Sequence, residues 1–250
     1  MLSRLRHWSQ HIYARLPALI PSCCALCGDD ASQAICDPCQ MQFFDAKQHR
    51  CIQCAIPLPL MTDSTAARCG DCLSQAPAFD ATLVAADYAA PIDQLVLALK
   101  FGNQLALAPL FARMLRDAIL RHNEGTLSLP TQVTAVPLGA QRLADRGFNQ
   151  ALEIAKPLGR SLGISLLPYL VKRQRDTAAQ ALLHPDERRK NMRHAFTVDI
   201  RAIDSVRGKH IGVVDDVMTT GETLNEMAVT LKRFGATRVT NFVFARTQQK

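Results

Sequence analysis

The chain has 250 residues, 48% of them hydrophobic and 20% charged, and carries a formal net charge of +7. That length accommodates one substantial α/β domain and a small appendage, and a mean hydropathy of +0.00 excludes a mainly disordered or membrane-embedded chain. No run of eighteen apolar residues occurs, and candidates such as Ile92 to Leu99 are broken by Asp93 and Gln94 and closed by Lys100, so no transmembrane helix is expected.

Residues 1–22 place Leu2, Leu5, Trp8, Ile12 and Leu16 along one face of a short helix, which is expected to pack on its own protein. The apolar stretch Leu16 to Ile20 contains Pro17 and is too short for a secretion signal, so a cytoplasmic location is expected.

All nine cysteines follow, between Cys23 and Cys72. Eight form four CxxC pairs: Cys24/Cys27, Cys36/Cys39, Cys51/Cys54 and Cys69/Cys72. Two intervening residues let both sulfurs of a turn point at one ion, and four such turns make two closed, structural sites of four thiolates, the pattern of zinc ribbons. A disulfide framework is the weaker reading, because no routing to an oxidising compartment is visible. Redox catalysis is weaker still, since a catalytic CxxC stands alone in a thioredoxin-like context. Pairing in chain order joins Cys24, Cys27, Cys36 and Cys39, then Cys51, Cys54, Cys69 and Cys72; cross-braced pairing stays open. Cys23 is read as a non-ligand. The expected organisation is an N-terminal helical segment (1–22), a double zinc ribbon (23–76) and an α/β domain (77–250).

From Phe79 onward strand and helix patterns alternate. Strands are expected at Phe79–Tyr88, Thr131–Pro137, Leu166–Val171, His210–Val214 and Arg238–Ala245. Helices are expected at Pro91–Phe101, Leu105–His122, Asn149–Leu162 and Thr220–Phe234, with a helical turn at Asp186–Met192. This alternation predicts a parallel sheet flanked by helices, with a ligand crevice at the C-terminal strand ends. The positive charge is concentrated: residues 142–193 hold eleven Lys/Arg against five Asp/Glu, a field that attracts phosphates.

The segment Val213-Val214-Asp215-Asp216-Val217-Met218-Thr219-Thr220-Gly221-Glu222-Thr223 joins a strand, an acidic pair and a turn that opens a helix. Backbone amides and threonine hydroxyls of Met218 to Thr223 can converge on a phosphate, with the positive helix end behind it. Carboxylates beside such a nest suit a sugar diol, whose hydroxyls donate to them. The pattern resembles the phosphoribosyl pyrophosphate motif of type I phosphoribosyltransferases. It implies Asp215 and Asp216 at the ribose hydroxyls and Met218, Thr219, Thr220, Gly221, Glu222 and Thr223 around the 5′-phosphate, with Mg²⁺ accompanying the ligand.

A second segment, Arg142 with Arg146-Gly147-Phe148-Asn149-Gln150, resembles the RGFNQ signature of the ComF/GntX family. Lys100-Phe101-Gly102, Thr177, Gln180, Arg188, Asn191, Ala195 and Phe196 extend the likeness over nearly the whole chain. The family combines a zinc ribbon with a type I phosphoribosyltransferase-like domain. The resemblance implies a role in natural competence, handling incoming single-stranded DNA with a helicase-like ATPase as partner. Arg142 and Arg146 are then candidates for the pyrophosphate, which a planar guanidinium recognises bidentately. Asn149 and Gln150 are read as capping or orienting the loop, and Lys100 stays open between surface and ligand contact. Two functions remain open: a phosphoribosyl pyrophosphate-binding competence protein, and a Mg²⁺-dependent transferase of unknown acceptor. No catalytic residue is nominated, and His184 and His194 are set aside.

Overall fold

A computed structural model describes residues 22–45, 48–59, 67–122, 128–174 and 195–248. The expected N-terminal helix and the helical turn at Asp186–Met192 lie outside these residues, as do Thr177, Gln180, Arg188 and Asn191. The chain divides into two compact units, Met1–Ala46 and Lys47–Lys250.

The first unit contains a two-residue antiparallel ladder, β1 (Ser22–Cys23) with β2 (Asp30–Ala31), and helix α1 (Asp37–Phe43). Gly28 turns the chain at φ 80°, a left-handed conformation in which glycine carries no Cβ penalty.

The second unit is built on a five-stranded parallel sheet of order β3-β9-β8-β4-β5. Its strands are β3 (Ala81–Asp87), β4 (Gln132–Ala135), β5 (Ser165–Leu166), β8 (His210–Met218) and β9 (Arg238–Arg246). The central strands are apolar on both faces, as a parallel sheet covered by helices requires. Helices α3 (Ile92–Phe101), α4 (Leu107–His122), α5 (Ala140–Arg146), α6 (Gln150–Leu162) and α7 (Glu222–Arg233) connect them, preceded by the short α2 (Gly70–Ser74). Phe111 of α4 stacks on Phe244 of β9 with ring centroids 3.6 Å apart. A separate cluster joins Leu224, Met227 and Leu231 of α7 to Ile211 and Val213 of β8 and to the hairpin β6 (Val171–Arg173) with β7 (Phe196–Val198). A 3₁₀ turn, Ile200–Ser205, follows that hairpin.

Two expectations are corrected. Leu166–Val171 is not one strand: β5 ends at Leu166, and Val171 begins the hairpin outside the main sheet. Pro168, which has no N–H to donate, falls in the break. Strand β8 does not stop before the acidic pair but continues to Met218, with Asp215 opposite Val243 and Met218 opposite Arg246.

The turn Cys51–Ile56 covers the outer edge of β3. Thr82 donates its N–H to Ile52 O at 3.1 Å, Arg50 pairs with Asp87 at 2.9 Å, and the buried Gln53 donates to Pro77 O and Phe79 O. An open parallel edge would otherwise present unpaired backbone groups.

Candidate functional site

Each unit gathers four cysteines in chain order. Sγ atoms of Cys24, Cys27, Cys36 and Cys39 lie within 4.8 Å of one another, and those of Cys51, Cys54, Cys69 and Cys72 do likewise. The Sγ separations Cys27–Cys36 (3.7 Å) and Cys54–Cys69 (3.6 Å) match the edge of about 3.8 Å set by a tetrahedron with Zn–S near 2.3 Å. Cys36 N–H and Leu26 N–H point at Cys24 Sγ, at 3.4 and 3.5 Å. Although burial opposes it, backbone N–H groups of Cys27, Cys36 and Leu26 pull Cys24 down to about 6. Hydrogen bonding from Cys54 likewise pulls Cys51 down to about 4, while burial pushes Cys72 up to about 12. Thiols this close cannot all ionise alone; a divalent cation removes the conflict. Both groups could hold a metal ion, and a soft four-sulfur donor set fits zinc. Cys23, outside both groups, is exposed.

The second feature is a pocket at the C-terminal end of the sheet. Lys100 of α3, Val136–Leu138 after β4, Arg142 of α5, Arg173 of β6 and the run Asp215–Leu224 line it. Asp215 Oδ1 accepts from Asp216 N at 2.9 Å, and Asp216 Oδ1 from Val217 N at 2.8 Å. Asp216 is 3% exposed. Its Oδ2 lies 3.0 Å from Lys100 Nζ, an ion pair outside hydrogen-bond angles, so Oδ2 keeps unused acceptor capacity. Lys100 thus lines the pocket through its ion pair with Asp216.

Burial and the adjacent Asp216 carboxylate raise Asp215 well above the usual carboxylate range, against the opposing pull of Lys100. A carboxyl whose pKa is raised on folding contributes stability that is fully present below its unfolded value and is lost as pH rises to the raised one. Asp215→Asn is therefore expected to raise the thermal midpoint of the protein at pH 8. The gain should vanish near pH 4; thermal melts at both pH values check it.

Beyond Met218 the chain makes the turn Thr219–Gly221, with both threonines exposed. Gly221 has φ 85°, and a Cβ there would lie 2.5 Å from Met218 Cε. As N-cap of α7 it supplies no side-chain cap, so first-turn amides of α7 remain available to an anion at the positive helix end.

Arg142 lines the pocket, and Arg146 lies at its margin, within electrostatic reach of Asp216 and Arg142. Arg146 sits 5.2 Å from the Phe101 ring centroid and donates to Gln150 Oε1 at 2.5 Å. Asn149 caps α6 through Ala151 N and Leu152 N and donates to Val136 O, fixing the loop after β4. Arg173, left open from sequence between surface and ligand contact, lines the pocket, and its guanidinium lies 5.6 Å from the Phe196 ring; missed by sequence reasoning was Arg246, fully buried behind the turn. An arginine closing an apolar strand was the available signal for Arg246.

A parallel sheet with this strand-end pocket defines a phosphoribosyltransferase-like protein, and the phosphoribosyl transferase domain family matches residues 148–250. Relatives extend the likeness to the cysteine-rich part. DNA utilization protein YhgH of Escherichia coli K12 is 34% identical over 91% of this chain and 98% of its own length. Competence protein F of Haemophilus influenzae is 33% identical over 86% and 92%, and competence protein ComFC of Streptococcus pneumoniae 27% identical over 59% and 60%. The chain belongs to the ComF/GntX family. No helix among the described residues is long and apolar enough to cross a membrane.

Proposed function

We propose that the protein binds phosphoribosyl pyrophosphate and uses this pocket in handling incoming single-stranded DNA on the cytoplasmic side during natural competence. The observation that carries the ligand assignment is the convergence of Asp215, Asp216 and the uncapped first turn of α7 in one pocket with Lys100 and Arg142. In this reading the 5′-phosphate accepts from amides of Thr219–Thr223, and the ribose 2′- and 3′-hydroxyls donate to Asp215 and Asp216. Arg142 faces the diphosphate, where a guanidinium stays charged at any working pH. Mg²⁺ fits the oxygen donors available, since it binds through one or two carboxylates together with ligand phosphates, whose charge it neutralises. The cysteine groups are read as two structural zinc sites. The DNA role is supported by the names of the relatives, a DNA utilization protein and competence proteins, and by the basic stretch 142–193.

Transfer to an acceptor is a second reading, favoured by the raised Asp215 carboxyl, since a perturbed carboxyl in a cleft can serve as a general acid or base. Calorimetric titration of phosphoribosyl pyrophosphate with Mg²⁺, together with a pyrophosphate-release assay, tests both. Saturable binding without release across candidate acceptors is expected; absence of binding at millimolar ligand sinks the pocket assignment. For the DNA arm, affinity for an unstructured oligonucleotide should fall steeply with salt, log K decreasing by about 0.7 per phosphate contact for each unit of log salt. Salt-indifferent affinity would count against phosphate-led binding.

A further inference from the structure

We infer that Arg246 is a positioning residue that ties the second cysteine group to the phosphate turn, so that metal held by Cys51, Cys54, Cys69 and Cys72 governs how firmly the turn is fixed. The inference rests on reading Thr219–Thr223 as the phosphate site. Arg246 ends β9 and is 1% exposed. Its Nε donates to Cys54 O at 3.1 Å, the carbonyl of a CxxC cysteine. Its Nη1 faces the carbonyl oxygens of Met218 (3.2 Å), Thr219 and Thr247 (2.8 Å). One planar group thus spans from the cysteine knuckle to the two residues where β8 turns into the phosphate loop. Thr247 N also donates to Met218 O at 3.0 Å, and Asn225 N to Gly221 O at 2.8 Å, closing the turn from both sides.

A buried guanidinium needs compensating negative charge as well as acceptors. Its partners in direct contact are the carbonyls of Cys54, Met218, Thr219 and Thr247 and the Thr247 hydroxyl, all of them neutral. A zinc ion held by four thiolates carries a net double negative charge, so the loaded group supplies that counter-charge. Without metal the Cys51–Cys54 turn loses the clamp that joins it to Cys69 and Cys72, and with it the firm placement of Cys54 O against the guanidinium. Lysine cannot replace it: a single ammonium lacks the fork that reaches Cys54 O and Thr219 O together. The carbonyls of Met218 and Thr219, held inward by Arg246, leave the turn's amides free for a phosphate.

The test uses the full zinc-loaded chain and compares the parent with Arg246→Lys and Cys72→Ser, reading amide hydrogen exchange and affinity for Mg²⁺-phosphoribosyl pyrophosphate. Exchange at the amides of Thr247 and Asn225 is expected to speed at least about tenfold in both variants, with protection in β4 and the first half of β8 retained. Affinity should fall at least about tenfold, the cost of losing one charge-assisted hydrogen bond. Arg246→Lys should keep its full zinc content, while Cys72→Ser loses one equivalent. Unchanged exchange at Thr247 and Asn225 in both variants overturns the coupling, and so does a uniform loss of protection across the sheet, the mark of a merely structural arginine. Should Arg246→Lys fail to fold, Cys72→Ser decides alone. A parent without ligand affinity defeats the pocket assignment, yet the exchange contrast still decides whether Arg246 links the two features.

Discussion

Stripping zinc from the loaded protein with a strong chelator at neutral pH is expected to lower its thermal midpoint by at least about 10 °C. The second cysteine group bears most of this effect within Lys47–Lys250, because it is built into the sheet. Its turn supplies Ile52 O to Thr82 N on the edge of β3, Gln53 to the carbonyls of Pro77 and Phe79, and Cys54 O to Arg246. Structural zinc contributes about 10–16 kcal/mol to small finger peptides, comparable with the whole net stability of a domain, about 5–15 kcal/mol. Half of that, about 5–8 kcal/mol, reaches the 10 °C threshold even at about 2 °C per kcal/mol. Zinc ligands must be thiolates, so protons compete with the metal and release should steepen as pH falls. Melts followed by circular dichroism with parallel zinc assay check this; a midpoint that stays put after complete zinc loss would refute a stabilising role for the metal.

Much of this architecture was legible because it rests on short-range geometry. A CxxC turn carries its ligand spacing within four residues, and Asp215 to Thr223 write strand end, acidic pair and turn consecutively. The long helices α4 and α6 announced themselves by apolar residues at helical spacing. What stayed hidden depends on the third dimension. Helix α5 buries none of its residues, so it left no periodic apolar signal, and the seven residues Ala140–Arg146 read as loop. Arg146 opens the signature segment, but its contacts with Phe101 and Gln150 and its reach to Asp216 follow from the turn of α5 rather than from the segment itself. Lys100 and Asp216 lie far apart in sequence and meet only because α3 returns across the sheet end. Arg246 is the sharpest case. Sequence pattern places it at the close of an apolar strand, but its partners Cys54, Met218 and Thr219 are gathered only by sheet order.

Asp216→Asn is expected to weaken phosphoribosyl pyrophosphate binding by about 10- to 100-fold while leaving the zinc content intact. Hydrogen bonds to a charged acceptor are worth about 1.5–3 kcal/mol. Asp216 has two differently placed oxygens: Oδ1 is held by Val217 N, and Oδ2, buried beside Lys100 without a hydrogen-bond donor, keeps unused acceptor capacity. The amide variant keeps the shape but turns an oxygen that should accept into a group that donates, or leaves a neutral acceptor with half the strength. It also strands the Lys100 ammonium, 21% exposed at its side chain, without its counter-charge. The two effects can be divided by a cycle with Lys100→Met. If Lys100 serves only to balance Asp216, Lys100→Met should restore thermal stability to Asp216→Asn without restoring affinity. If Lys100 also contacts a ligand phosphate, the double variant should bind more weakly than Asp216→Asn alone, and its affinity should depend less on salt. Calorimetric titration of the four proteins at two ionic strengths separates these outcomes, and an Asp216→Asn protein that binds within about threefold of the parent would remove the acidic pair from the ribose site.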